Sequence, residues 1–374
     1  MCNASLNVLF NIFNKMNSNL AYFDVSHYIE ILHLNYSNEF ENEINKQLES
    51  KIEAMEPTFE TLNLGDDENL RLIKIDSTIN EKERKDLKKL LIEFQVVFAW
   101  SYEDMLGINH EITQHHIDTH AHMVPIKQKL RRMRTEWLLK IKGEVTKQLK
   151  LEFIKPIHQA EWIANVVPIP KKDGNVRMCV NFKDLNKGFS KDDFPLPHID
   201  VLVDNTTGSA LMSFMDSFLG YNEIKMASRD MTKTSLSTVT PFGLKNACMT
   251  CQRMATTLLH DMMHNEGEVY VNDVIMKSKW REGHIINLRK FFERTKEYRL
   301  RLNPQKCTFG VTVRKLLGFL VSDRGIEVDP SKLKAVLEMP SPKSKKEIRG
   351  FFGRLQCISR FIAKLTSPNF QIKT

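Results

Sequence analysis

Long apolar runs are missing from this sequence, and so are the compositional extremes of fibrous or low-complexity proteins. No stretch approaches the roughly 20 apolar residues of a membrane-spanning helix, and the mildly apolar start lacks the basic residues that open a signal peptide. Glycine and proline number 15 and 13 among 374 residues, which excludes collagen-like and Pro/Gly-rich chains. We therefore expect a soluble intracellular protein without a membrane partner, and a cytoplasmic particle and the nucleus both stay open.

Cysteine is also sparse, and the potential metal ligands form no recognisable site. The six cysteines are scattered, as expected for reduced thiols inside a cell. Cys248 and Cys251 form a lone C-x-x-C pair without a second pair at zinc-finger spacing, which favours an incidental spacing. Five histidines lie between residues 110 and 122, and no Glu or Cys stands beside them at ligand spacing. A polar linker strand is therefore favoured there over a metal site.

Positive charge is concentrated in one part of the chain. Residues 1–100 hold 10 basic and 17 acidic residues, whereas residues 101–374 hold 44 basic and 29 acidic residues. This imbalance indicates a polyanionic partner for the second part, with a merely basic, well-solvated surface as the alternative.

Helical and strand-like segments interleave, with hairpins in place of regular βαβ repeats. Helices are predicted after Asn80, whose spacing to Glu83 resembles a capping box, and over about 135–150, 244–265 and 282–300. The run WIANVVPIP-KKDG-NVRMCVNF predicts a hairpin, as do the runs around Asn272 and Asp273 and the segment LLGFLVSDRGIEV. A last helix is predicted to begin near Ser344. The pattern predicts an α+β fold.

Two acidic residues stand at strand ends: Asp216 closes the run LMSFMD, and Asp273 lies in the YVND turn. Either residue alone is most often a solvated turn residue. Phosphoryl transfer from a nucleoside triphosphate, however, needs two divalent cations about 4 Å apart, held by carboxylates from separate strands. Hard oxygen ligands of this kind suit Mg²⁺.

From about residue 95 to 366, ordered motifs make the chain similar to one enzyme family. It resembles the reverse transcriptase segment of plant gypsy-type (metavirus) LTR-retrotransposon Pol polyproteins. The matching motifs are VVFAWSYEDMLGI, PIKQKLRRMR, WIANVVPIPKKDGNVRMCVNFKDLNK, DDFPLPHIDVLVD, SFMDSFLGYNEIKM, PFGLKNA, YVNDVIMKS, RLNPQKC, LLGFLVSDRGIEVDPSKLKAV and KKEIRGFFGRLQCISRFI.

The resemblance implies a right-hand polymerase fold of fingers, palm and thumb with an antiparallel palm sheet. It implies a leader over residues 1–55 with no assigned role and a spacer over 56–105. It further implies fingers and palm over 106–300, and a primer-grip hairpin, thumb and truncated connection over 301–374. The implied activity is that of an RNA-directed DNA polymerase, a nucleotidyltransferase that extends a primer on an RNA or DNA template with dNTPs.

The resemblance also assigns roles to single residues. Asp216 and Asp273 match metal-binding aspartates that would hold two Mg²⁺ ions, Arg177 matches the arginine that contacts the triphosphate, and Tyr221 matches the aromatic residue next to the nucleotide sugar. The implied nucleic-acid contacts come from the fingers lysines and the primer grip: Lys171, Lys172, Leu317, Gly318 and Phe319. Further basic residues would contact the nucleic-acid backbone; these are Lys127, Lys129, Arg131, Arg132 and Arg134.

The sequence departs from the family pattern at three places. Asn272 stands where the family's YVDD motif has its first aspartate, and an amide oxygen brings no negative charge to a cation that dehydrates reluctantly. Asn181 stands where the family usually has aspartate. Between Thr234 and Pro241 the chain is about eight residues shorter than the family pattern, which would remove half of a palm hairpin and leave backbone groups of its partner to be satisfied elsewhere.

Three interpretations follow from these departures. The first is a reverse transcriptase with impaired activity, encoded by a decayed or truncated element. The second is a catalytically inactive relic that still binds nucleic acid. The third is an unstable product whose palm no longer closes, for which a broad, non-cooperative melt is expected.

Overall fold

The computed structural model describes most of the chain between residues 58 and 354. The described residues are 58–105, 107–157, 159–170, 176–216, 223–234, 237–238, 243–316, 319–337, 339, 344, 347, 350–351 and 353–354. They fall into two compact units, one formed by Thr58–Thr312 and one that contains the described residues from Val313 onward. The predicted leader at 1–55 lies outside the described residues, so the predicted domain boundaries stay a prediction.

Helices and strands alternate along both units. The helices are α1 Glu81–Glu93, α2 Thr135–Lys150, α3 Lys183–Lys187, α4 Ile199–Thr206, α5 Ala247–Leu259, α6 His284–Glu297 and α7 Pro330–Leu337. The strands are β1 Phe59–Asn63, β2 Leu72–Asp76, β3 Ile154–Lys155, β4 Val166–Pro170, β5 Val176–Val180, β6 Leu211–Asp216, β7 Ser237–Thr238, β8 Gly267–Tyr270, β9 Asp273–Ser278, β10 Thr308–Val311, β11 Val313–Leu316, β12 Phe319–Ser322 and β13 Gly325–Val328. Short 3-10 turns lie at Gln95–Val97, Tyr102–Asp104, Ser228–Lys233 and Arg281–Gly283.

A six-stranded sheet in the order β1-β2-β10-β6-β9-β8 forms the centre of the first unit. Its neighbouring strands are antiparallel except β2 and β10, which run parallel. Strand β6 is almost wholly buried, which explains why its sequence, LMSFMD, is a nearly continuous apolar run. Helix α6 packs on β9, and α4 and α5 pack on β8. These helices therefore pack on the two strands, β8 and β9, that are joined by the turn before Asp273.

The predicted spacer segment contributes two strands and a helix to this same unit. Ile73 and Ile75 of β2 are fully buried, and each contributes roughly 1.5–3 kcal/mol through burial of its side chain. The predicted capping box of α1 is confirmed, because Asn80 accepts the Glu83 N–H and Glu83 accepts the Asn80 N–H. The apolar face of α1 is buried as predicted; it comprises Leu87, Leu90, Leu91 and Phe94.

A smaller hydrophobic cluster lies beside the hairpin of β4 and β5. The two strands pair antiparallel, with Ile169 opposite Arg177, as the alternation around the KKDG turn predicts. The cluster comprises Ile117, Trp162, Phe182, Leu185, Phe189, Met226 and Leu244. A separate pair of short strands, β3 and β7, joins Ile154 to Thr238. This part of the unit lies within residues 106–300, for which fingers and palm are predicted, and the hairpin of β4 and β5 is called the fingers hairpin below.

The second unit contains a meander of β11, β12 and β13, followed by α7. The predicted hairpin of LLGFLVSDRGIEV is confirmed by the antiparallel pairing of β12 with β13. Asp329 accepts hydrogen bonds from the backbone N–H and the hydroxyl of Ser331 at the start of α7. At the predicted last helix, Ser344 accepts the Glu347 N–H. No helix within the described ranges is long and apolar enough to cross a membrane.

Candidate active site

Asp216 and Asp273 face each other at one end of the central sheet. Asp216 ends β6, Asp273 begins β9, and the antiparallel register pairs the two residues directly. Directly opposed residues of an antiparallel pair carry their side chains on the same face, with Cβ atoms about 5 Å apart. The structure therefore brings together the two carboxylates that are separated by more than fifty residues in the sequence.

The turn before Asp273 has an unusual backbone, and a buried glutamine holds it. Val271 has a φ of 54°, a left-handed conformation that a β-branched residue rarely adopts. The Val271 N–H donates to Oε1 of Gln252 at 2.7 Å, and Nε2 of Gln252 donates to the Val269 carbonyl at 3.2 Å. Gln252 lies in α5 and is 1% exposed. These two hydrogen bonds attach the turn to α5 and fix its conformation.

Asn272 occupies the second position of this turn. Its amide oxygen, Oδ1, is buried and has no hydrogen-bond partner, which is uncommon for a buried polar atom. An amide oxygen, from the residue that directly precedes Asp273 in the sequence, is the type of donor that a hard cation such as Mg²⁺ accepts. The donor atoms thus fit such a cation in type but bring less charge than three carboxylates. Among the described residues, no group of three or more His, Cys, Asp and Glu side chains is arranged to hold a metal ion.

The electrostatics of the site join three charged groups. Partial desolvation of the Asp273 carboxyl group raises its pKa above the usual range, the negative charge of Asp216 adds to this effect, and the ammonium group of Lys306 opposes it. Lys306 Nζ lies 2.6 Å from Oδ2 of Asp216. The site therefore combines two carboxylates with one lysine, whose role the sequence alone did not indicate.

Comparison with known proteins agrees with this geometry. Residues 169–321 match the family model described as "Reverse transcriptase (RNA-dependent DNA polymerase)". The retrovirus-related Pol polyprotein from transposon opus of Drosophila melanogaster is 33% identical over 224 residues, which cover 57% of this chain and 22% of the polyprotein. The one from transposon 297 of the same organism is 26% identical over 304 residues, which cover 78% of this chain and 28% of the polyprotein.

Solved structures show the same fold. A foamy viral protease-reverse transcriptase in complex with double-stranded DNA has a TM-score of 0.67 at 20% identity, covering 75% of this chain and 50% of that chain. The same viral protein in complex with an RNA/DNA hybrid has a TM-score of 0.65 at 20% identity, covering 79% of this chain and 42% of that chain.

Residues 169–321 thus match a reverse transcriptase domain, and retrotransposon Pol polyproteins contain segments similar to this chain. The chain has the predicted α+β polymerase fold, and the six-stranded sheet is called the palm below, after the region that the resemblance predicts. The chain spans less than a third of the length of the two Drosophila polyproteins.

For several other predicted site residues, the described part of the structure gives no contact with Asp216. Arg177 is exposed on β5 in the fingers hairpin. Phe319 is half-buried at the start of β12 in the second unit, where Lys332 Nζ lies 5.9 Å from its ring centroid. Five further predicted residues lie outside the described part of the chain: Lys171, Lys172, Tyr221, Leu317 and Gly318.

The basic segment at residues 127–134 is held by the side-chain amide of Gln128, a contact that the sequence analysis did not predict. The backbone of Lys127 forms an isolated parallel β-bridge with that of Ile163, which precedes the hairpin of β4 and β5. Nε2 of Gln128 donates to the Asn181 carbonyl at 3.1 Å, and Oε1 of Gln128 accepts the Asn165 N–H at 2.9 Å. The segment is therefore extended along the hairpin, with its basic side chains exposed; these are Lys127, Lys129, Arg131, Arg132 and Arg134.

Residues within the segment that is predicted to be shortened form a strand pair. Ser237 and Thr238 form β7 and pair with Lys155 and Ile154 of β3. The predicted deletion itself stays a prediction.

The histidines and cysteines considered as metal ligands have other surroundings. His115 is buried, and its Nδ1 lies 2.9 Å from the Thr250 hydroxyl, while the rings of His120 and His122 stack at 5.4 Å. Cys248 and Cys251 lie one turn apart on α5. Within the described residues none of these groups forms a metal site.

Proposed function

We propose that this domain catalyses RNA-directed DNA synthesis, by nucleotidyl transfer to a primer 3′-hydroxyl. The cross-strand pair of Asp216 and Asp273 carries the proposal. It places two carboxylates at the end of the palm sheet, where the family match indicates polymerase chemistry. Reverse transcriptase neighbours in complex with double-stranded DNA and with RNA/DNA hybrid support a primer–template duplex as the partner.

Asp216, Asp273 and the amide oxygen of Asn272 would hold divalent cations, two Mg²⁺ ions by family. When bound, such cations activate the attacking hydroxyl and neutralise charge on the leaving pyrophosphate. The chain's own contribution is to position these oxygens, since Gln252 fixes the turn and the sheet register fixes the two carboxylates.

The remaining substrate contacts are proposed from the motifs. Arg177 would contact the triphosphate of a dNTP, where its planar fork suits phosphate oxygens, and Tyr221 would lie beside the sugar. Template and primer would be contacted by the fingers lysines and the primer grip: Lys171, Lys172, Leu317, Gly318 and Phe319. We further propose the plant gypsy (metavirus) subtype for the element on the resemblance of the ordered motifs, among which the run FPLPHIDVLVD is typical of the gypsy type.

We also propose that the activity is impaired. Asn272 supplies no negative charge at its position, and the palm is shortened next to β7. A second candidate function, nucleic-acid binding without extension, is favoured by one observation: the described residues supply no third acidic or imidazole ligand beside Asp216 and Asp273.

Primer extension on a poly-rA template with an oligo-dT primer tests the proposal. The wild type should incorporate dTTP weakly with Mg²⁺ or Mn²⁺, and Asn272→Asp should be at least about 10-fold faster because a carboxylate returns to the ligand set. Asp216→Asn should abolish incorporation and serves as the inactive control.

The outcomes separate the two functions. Equal rates for the wild type and Asn272→Asp would contradict the impairment. Salt-dependent binding of the hybrid with no incorporation by either protein would establish the binding function in place of the polymerase.

A further inference from the structure

Lys306 forms an ion pair with one of the two aspartates of the candidate active site. Its Nζ lies 2.6 Å from Oδ2 of Asp216, the carboxylate that is predicted to bind a metal ion. The Lys306 side chain is 62% exposed and that of Asp216 is 22% exposed, so the ion pair lies at the solvent-accessible edge of the site. A cation that approaches Asp216 from solvent meets this ammonium group.

The backbone fixes the position of Lys306. The Asn303 N–H donates to the Asp216 carbonyl at 2.9 Å, and the Asn303 carbonyl accepts the N–H groups of Lys306 and Cys307. Immediately afterwards β10 begins and pairs with β6, with Thr308 opposite Phe214. The turn that carries Lys306 is therefore attached to the end of β6 at both of its ends, and the ion pair follows from the fold of the palm.

The net negative charge at this edge of the site is small. Asp216 and Asp273 bring two negative charges, Asn272 brings none, and Lys306 neutralises one of the two. Binding of a divalent cation depends on the number of charged ligands. Asn272 leaves the site with only two negatively charged ligands. The positive charge of Lys306 therefore offsets half of the negative charge that would attract a cation.

We propose that Lys306 is the internal counter-cation of Asp216, which a divalent cation must displace, and that Lys306 thereby sets the cation affinity of the site. The inference rests on the proposed function in that it takes Asp216 as a metal ligand. It goes beyond that function by assigning the weak cation binding of this chain to a lysine as well as to Asn272.

Titration of the protein with Mn²⁺, monitored by the electron paramagnetic resonance signal of free Mn²⁺, tests this inference without nucleic acid or dNTP. Lys306→Gln should bind Mn²⁺ about fivefold more tightly than the wild type, because an exposed ion pair of modest strength no longer has to be broken. Lys306→Arg keeps the charge and should leave the affinity unchanged. Lys88→Gln removes an exposed lysine of α1 and controls for net charge.

Adding Asp216→Asn to Lys306→Gln should eliminate the gain. The inference is overturned if Lys306→Gln binds Mn²⁺ no more tightly than the wild type, if Lys88→Gln gains as much, or if no variant binds Mn²⁺. Tighter binding by Lys306→Gln together with no primer extension by any variant would support the inference and contradict only the polymerase function.

Discussion

Glu223 is a single buried residue that couples the stability of the palm to pH. Its side chain is fully buried, and this burial, opposed in part by the backbone N–H and charge of Arg301, raises its pKa to about 8. The native state therefore retains a proton that the unfolded chain releases near pH 4.5. The stabilisation is complete below pH 4.5 and is lost as the pH rises toward and through 8.

We expect Glu223→Gln to flatten this dependence, because the amide does not ionise. The free energy of unfolding of the wild type should fall by several kcal/mol more than that of the variant between pH 5 and pH 9. Urea unfolding at a series of pH values measures the difference. Glu81→Gln, at an exposed position on α1, is the control and should follow the wild type; identical slopes for all three proteins would contradict the prediction.

Two asparagines at positions where the family has aspartate have different consequences. Oδ1 of Asn181 accepts the Lys183 N–H at 3.4 Å at the start of α3, and its own N–H donates to the Asn165 carbonyl. Asparagine and aspartate serve such a turn equally well, so charge is dispensable there. Oδ1 of Asn272 has no hydrogen-bond partner, and under the proposed function it stands where a metal ion would need a negatively charged ligand.

At the scale of elements, strand β2 gives the palm part of its core. Ile75 is fully buried on β2, whereas Leu72 on the same strand is 46% exposed. Ile75→Ala should lower the free energy of unfolding by about 2–5 kcal/mol, and Leu72→Ala should change it by no more than about 0.5 kcal/mol. Thermal or urea unfolding of the two variants measures this. Equal effects would indicate that the segment is a separate spacer and not a part of the sheet.

The elements that sequence patterns predicted well are those with local signals. The capping box of Asn80 and Glu83 and the antiparallel pair of β4 and β5 depend on neighbouring residues, and both form as predicted. The parallel pairing of β2 with β10 joins residues more than two hundred positions apart, and no local pattern encodes it.

The candidate site shows the same division. The motifs identified Asp216, Asp273 and Asn272 as site residues, and the register pairs the two aspartates. Gln252 and Lys306 reach the site through tertiary contacts from α5 and from the turn before β10. A glutamine within a helix and a lysine within a turn carry no distinguishing signal of their own, so sequence reasoning missed them.

At the scale of the whole molecule, the uneven charge of the chain predicts a salt-dependent partner. We expect binding to an RNA–DNA hybrid to weaken steeply as salt rises, because each neutralised phosphate releases a counterion. Changing Lys127, Lys129 and Arg131 to Gln should reduce the slope of log K against log salt by about 2–3. Fluorescence anisotropy between about 50 and 200 mM salt measures the slope.

A matched triple variant on α1 removes the same charge elsewhere. Lys82, Lys88 and Lys89 are exposed on that helix, and their change to Gln should leave the slope close to that of the wild type. An equal reduction by both variants would assign binding to net charge, and the extended fingers segment would then have no particular role.

The left-handed turn at Val271 also bears on how readily the site can be restored. Gln252 holds that turn through the Val271 N–H and the Val269 carbonyl, and neither contact involves the side chain at position 272. In the genetic code, each of the two codons for asparagine becomes a codon for aspartate by one A-to-G change at its first base. A single transition would therefore place a carboxylate at position 272, and the two hydrogen bonds by which Gln252 holds the turn would stay the same.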